Sequence, residues 1–165
     1  MIISNSRTRG FTLIELLVVI AIIGVLSSVV LASINTARTK GNDAAIRSNL
    51  STVATQAALY VDDNFSYGFF DLAGAPDVCP SAGGSTGSLF DDATIAQAIA
   101  SAVTGSGGGT SLCIATDDTY AVSVDRPLGF SSGAWCVDSA GTKCGVDASS
   151  HITAGLCTTP CVSGD

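Results

Sequence analysis

Side chains that do acid–base or nucleophilic work are scarce in this sequence. Its 165 residues include one histidine, His151, and one tryptophan. A single imidazole among many serines and threonines makes no triad, which needs a nucleophile, a base and an orienting acid held together. Basic side chains are few and unevenly spread. Arg7, Arg9, Arg38, Lys40 and Arg47 precede Asp62, and only Arg126 and Lys143 follow it, against twelve aspartates from Asp62 onward. That balance argues against nucleic-acid phosphate as a direct partner, since such binding rests on Lys and Arg neutralising the backbone. No two cysteines have the C-x2-C spacing common among zinc ligands and thiol oxidoreductases; Cys157 and Cys161 are C-x3-C. The tracts SAGGSTGS (81–88) and GSGGG (105–109) lack the lysine and the strand–helix setting of a phosphate loop, and read as loops. Nothing here points to an enzyme.

One long stretch also lacks charge. From Leu16 to Ile34 the chain runs 19 residues without Asp, Glu, Lys or Arg. As a helix rising about 1.5 Å per residue, it matches a hydrocarbon core of roughly 30 Å. Glu15 stands one turn inside the apolar segment that opens at Phe11. A carboxylate at membrane depth is costly unless paired, so it marks a functional site. It also has a local use. Thr12-x-x-Glu15 is the spacing of a capping box, whose two side chains satisfy the first free amides of a helix.

A basic leader with Arg7 and Arg9, then Gly10, then Phe11-Thr12-Leu13-Ile14-Glu15 opening an uninterrupted apolar helix, make the first third of the chain resemble type IV prepilins and type II secretion pseudopilins. The resemblance implies that a prepilin peptidase removes residues 1–10 by cutting between Gly10 and Phe11, and that Phe11 is N-methylated. It also implies that identical or related subunits assemble into a helical filament through residues 11–34. The amine created at Phe11, of the same or a neighbouring subunit, would then be the cation that a buried Glu15 needs. Ala32 stands where the family usually has a proline late in the apolar helix, while Gly24 is present. The implied partners are the prepilin peptidase and the pilus or secretion assembly machinery. The implied location is the inner membrane, N-terminus in the cytoplasm, and then a cell-surface pilus or a periplasmic pseudopilus. The leader is not an ordinary secretory signal, because its apolar region follows the proposed cut. A reading from another class keeps the helix as the anchor of an extracytoplasmic binding module that never polymerises.

Beyond the apolar run, Ile46, Leu50, Val53, Ala57 and Tyr60 recur at spacings of 4, 3, 4 and 3, one face of a helix. This predicts an amphipathic continuation over 35–61, with Gly41 a point where it can bend and Asp62-Asp63-Asn64 ending it. Residues 62–165 then form a small α+β domain. Asp92 can cap a helix running to about Val103, with Ile95, Ala98, Ile99 and Ala102 as its buried stripe. Leu112 and Ile114 alternate with polar neighbours, Asp117-Asp118 makes a turn, and Tyr120, Val122 and Val124 alternate again, so the two strands read as an antiparallel hairpin. Trp135 to Asp138 and Thr142 to Cys144 form a second hairpin around Ser139-Ala140-Gly141. The fold class is α+β: a long N-terminal helix carrying a small antiparallel sheet with disulfides, the ladle of the family it resembles.

Six cysteines after the helix, in a Gly/Ser/Thr-rich domain, point to disulfides in an oxidising compartment. The register of the second hairpin pairs Cys136 with Cys144, proximity pairs Cys157 with Cys161, and elimination leaves Cys79 with Cys113. The pairs Asp62-Asp63, Asp91-Asp92 and Asp117-Asp118 can offer oxygens to Ca²⁺, but they fit solvated turns better, so no metal or other cofactor is expected.

Overall fold

The computed structural model describes residues 10–70, 76–80, 87–127, 133–146, 152–153 and 155–157. His151, Cys161, the leader before Gly10 and most of the first glycine-rich tract lie outside them. The chain divides into two compact units, Met1–Arg38 and Thr39–Asp165. One helix, α1 (Leu13–Asn64), contributes to both. Gly24 and Gly41 lie within it and neither ends it. It runs through Asp62 and Asp63, and stops where Phe65 turns left-handed at φ 59°. The Phe65 N–H donates to Val61 O (2.8 Å), and Asn64 Nδ2 to Tyr60 O (2.9 Å), so late carbonyls of the helix are used.

In the second unit a five-stranded antiparallel sheet has the simple order β1-β2-β3-β4-β5. The strands are β1 (Asp77–Val78), β2 (Ser111–Ala115), β3 (Tyr120–Asp125), β4 (Ala134–Asp138) and β5 (Lys143–Val146). A two-stranded ribbon follows, β6 (Ile152–Thr153) and β7 (Leu156–Cys157). Between β1 and β2 lies α2 (Ala93–Ser106). Asp92 caps it, accepting from Thr94 N (2.8 Å) and Ile95 N (3.0 Å). The helix runs three residues past Val103, into the tract read as a loop, and ends at Gly107 with φ 87°. Gly105 is helical, and a Cβ there would meet the Ile46 side chain at 3.5 Å, an ordinary contact.

Strand periodicity divides the sheet between two covers. Cys113, Ala115, Tyr120, Val122, Val124, Trp135 and Val137 face a core shared with α2 and with Ile46, Leu50, Val53 and Ala57 of α1. Ile114, Ala121, Ala134, Cys136 and Val146 face Ile152 and Cys157 on the other side. Alternate residues point to opposite faces, and both faces here are covered, so β3 and β4 are buried almost throughout. Both predicted hairpins form. The second has the expected loop, with Gly141 at φ 84° donating to Asp138 O, and with Cys136 opposite Cys144.

Two of the sequence-derived disulfides are nevertheless wrong. Cys136 is bonded to Cys157, not to Cys144, and so Cys157 is not available to Cys161. Directly opposed side chains stand parallel and roughly perpendicular to the sheet, aimed at whatever covers that face rather than at each other. Here β7 is the cover, and it presents Cys157. Cys79 is bonded to Cys113, joining β2 to the segment just after β1. Cys144 is also in a disulfide.

The packing of α1 on the sheet gives a direct test. Leu50 is fully buried in the shared core. Leu50→Ala should lower the unfolding free energy of the full chain in detergent micelles by about 2–5 kcal/mol, the usual range for such truncations. Denaturant titration followed by Trp135, the single tryptophan, reads it. A loss of only a few tenths of a kcal/mol would place Leu50 outside the core.

Candidate functional site

At the start of α1, Thr12 and Glu15 make the capping box that their spacing announces. Glu15 N donates to Thr12 Oγ1 (3.2 Å), and Thr12 N (2.9 Å) and Oγ1 (3.0 Å) donate to Glu15 Oε2. Amides that no intrahelical carbonyl can serve are thereby satisfied. Gly10 and Phe11 precede this turn and are exposed. Every large apolar side chain from Phe11 to Ile34 is 49–87% exposed, so the first unit buries none of them by itself. By length and composition α1 can cross a membrane. Ser28 within it donates to Val25 O (2.8 Å), so its hydroxyl proton needs no water.

A second constellation was not legible as a site. Asp43, on α1, is buried, and its carboxylate accepts from three side chains. Arg47, one turn on, donates to Oδ2 from Nη2 (2.7 Å) and Nε (3.2 Å). Trp135 Nε1 on β4 (2.7 Å) and Arg126 Nε, just after β3 (3.1 Å), donate to Oδ1. Both guanidinium groups also lie over the indole, at 4.2 and 5.1 Å from its centre, where cations are attracted to the ring. Burial pushes the Asp43 pKa up most strongly, but the hydrogen bonds from Trp135, Arg47 and Arg126, with the Arg126 charge, outweigh it and leave the pKa below the usual aspartate value. The available signal was spacing. Asp43 precedes Ile46 by three and so falls on the apolar stripe, an acid where the core must form.

Three of the paired aspartates are occupied locally. Asp117 accepts from Ser66 Oγ (2.9 Å), Asp91 from Gly87 N (2.7 Å), and Asp92 caps α2. Among the described residues no three His, Cys, Asp or Glu come together as metal ligands would.

The Asp43 cluster predicts a pH signature. A carboxyl whose folded pKa is depressed contributes in full above its unfolded pKa, near about 4, and loses that contribution as pH falls through the lower folded value. Asp43→Asn, which leaves two guanidinium groups without their acid, should destabilise the full chain by about 3 kcal/mol at pH 7. The gap to the native chain should narrow below about pH 4. Denaturant titrations at pH 7 and pH 3 check this, and a gap independent of pH would contradict the assignment.

Comparison with known proteins bears on the N-terminal segment. Residues 5–31 match the family model described as the prokaryotic N-terminal methylation motif. Over 61 residues the chain is 41% identical to the type IV wide pilus major component PilA4 of Thermus thermophilus. That match covers 37% of this chain and 47% of the relative, about half its length. No solved structure matches the chain significantly. The chain thus carries the methylation motif at the start of a long helix whose first part is apolar on every side, ahead of an antiparallel sheet bound by disulfides, and over part of its length it is similar to a type IV pilus component.

Proposed function

We propose that this chain is a structural subunit of a type IV pilus or a type II secretion pseudopilus and acts by assembly, not catalysis. A prepilin peptidase cuts it between Gly10 and Phe11, and the new amine of Phe11 is methylated. Before assembly the apolar part of α1 sits in the inner membrane, its N-terminus toward the cytoplasm. Afterwards the same surface packs against other subunits in a helical filament, with the assembly machinery moving it from one setting to the other. The observation that carries this reading is the unburied apolar surface from Phe11 to Ile34, most of which lies within the methylation motif at residues 5–31. Such a surface needs a partner as apolar as itself, and lipid and a neighbouring helix both qualify.

Glu15 gives assembly its direction. Its side chain caps α1, but capping does not require charge, because glutamine serves equally well in a capping box. The charge is of use where low-dielectric surroundings make pairing with a cation valuable, and a Phe11 amine of the same or an adjoining subunit supplies one.

Two substitutions test the reading. A bulky residue at Gly10 should leave the precursor uncut and out of filaments, and an intact mass of assembled protein that still begins at Met1 would refute the processing step. Glu15→Gln preserves the cap and removes the charge. It should give a processed, membrane-retained protein whose filament yield falls several hundred-fold, the equivalent of about 3–5 kcal/mol for one side of a buried pair. Sheared surface fractions at matched expression measure it. Normal yield would show that the charge is not what assembly uses.

A further inference from the structure

Two tripeptides of the chain have the pattern of an N-glycan acceptor, Asn-x-Ser: Asn49-Leu50-Ser51 and Asn64-Phe65-Ser66. So short a pattern arises by chance, and what separates the two is the fold. A transferase must reach the asparagine amide and the hydroxyl two residues on together. Within a helix, residues two apart do not face each other. Asn49 and Ser51 are held in that way inside α1, and Leu50 between them is buried in the core. Asn64 is the last residue of α1, and the chain leaves the helix at Phe65, whose φ is 59°. Asn64 and Phe65 are exposed and Ser66 is half-buried.

Two further details favour Asn64. Its Nδ2 donates to Tyr60 O at 2.9 Å. A primary amide carries two N–H bonds, and this contact uses one. Putting a sugar in place of the other hydrogen leaves a secondary amide that still donates to Tyr60, so the end of the helix keeps its hydrogen bond. The neighbouring Phe65 ring is 91% exposed. A ring so open to water has apolar area left to bury, and its electron-rich face suits the C–H face of a pyranose.

We propose that Asn64 is a glycosylation site, taking an oligosaccharide from a polyprenyl-diphosphate donor, while Asn49 is left unmodified. The proposal rests on the reading above that residues after the apolar part of α1 lie outside the cytoplasm, where a glycan of this class belongs on the surface of an exported protein. In the transfer Asn64 Nδ2 bonds to the anomeric carbon of the first sugar, and the bond from that carbon to the diphosphate oxygen breaks. Polyprenyl diphosphate leaves with the electron pair, and a base of the transferase takes one Nδ2 proton. No oxidant or reductant enters. The glycan then lies over Phe65 and puts a hydrated surface where a bare aromatic ring stood.

The test uses the full chain from its native cells, taken from sheared surface filaments and from detergent-extracted membranes. Cleavage before aspartate puts Asn49 on the peptide 43–61 and Asn64 on the peptide 63–70, and intact peptide masses are read for each. Peptide 63–70 should carry the mass of added sugars, and peptide 43–61 should have its sequence mass. Asn64→Gln should abolish the added mass, and Asn49→Gln should leave it unchanged. Ser66 needs a paired control, because its Oγ also donates to Asp117 (2.9 Å) and accepts from Gly68 N (2.8 Å). Ser66→Ala should therefore lose the sugar, and Ser66→Thr, which keeps the hydroxyl, should retain it. An unmodified peptide 63–70 in filaments would overturn the proposal and leave the filament reading standing. The same unmodified peptide from cells whose filaments lack the protein would overturn both. Sugar that persists in Asn64→Gln, or that sits on peptide 43–61, would overturn the assignment to Asn64.

Discussion

Burying one carboxylate dictates much of how the second unit is put together. Asp43 sits on the face of α1 that packs on the sheet, and a charge in that position is destabilising unless donors reach it. The donors come from three places: one turn along the same helix, the end of β3, and the middle of β4. Apolar contacts between Leu50, Val53 and the sheet are non-directional and tolerate sliding. Hydrogen bonds of 2.7–3.1 Å to a carboxylate do not. The cluster therefore fixes the rotation and axial position of Thr39–Asn64 against the strands, while the apolar core supplies most of the burial.

The sheet then has to be covered twice. Its first face has two helices to lie under, and among the described residues its second has the short ribbon β6–β7. Two residues per strand make a weak element on its own. The bond from Cys136 to Cys157 holds that ribbon where Ile152 can pack on Ile114, Ala121 and Val146. A bond across β4–β5 would have added little, because the Ser139-Ala140-Gly141 loop and the strand pairing already set that register. A small domain with a thin cover on one side has good reason to use its cysteines between layers and not within one.

These two features mark how far the sequence could be read. Periodicity and turn chemistry are local, and what they encode was legible: the stripe from Ile46 to Tyr60, the Asp92 cap, both hairpins, and the Thr12–Glu15 box. The register that sets Cys136 opposite Cys144 was legible too. Which thiol lies above Cys136 was not, since that depends on how a ribbon of two two-residue strands folds back, and its four strand residues carry no periodic signal. Asp43 was counted as a charge and not as part of a site for the same kind of reason: its donors are 83 and 92 residues away, and only Arg47 is near enough to suggest itself. The helical tract at Gly105 and Ser106 runs against glycine's poor helix propensity, which is why it read as a loop.

The same logic of a directional contact set in a non-directional surface applies at the other end of α1. Sixteen large apolar side chains from Phe11 to Ile34 lie exposed, and they are nearly uniform around the helix. A surface of that kind lowers its free energy in lipid or against any similar helix, and it favours no single axial offset over its neighbours. Affinity without register gives aggregation, not a filament. One polar group in an apolar seam changes this, because every offset but one leaves it without a partner, as a single buried asparagine does in a coiled coil. Glu15 is the one charged residue between Phe11 and Ile34. The Thr12–Glu15 box already satisfies the nearby amides, so the need that remains is for a cation. The proposed cut between Gly10 and Phe11 would create that cation within a turn of the acid, and only then. Processing would on this account do more than remove a leader: it would supply the group that makes one packing of the helices better than all the others.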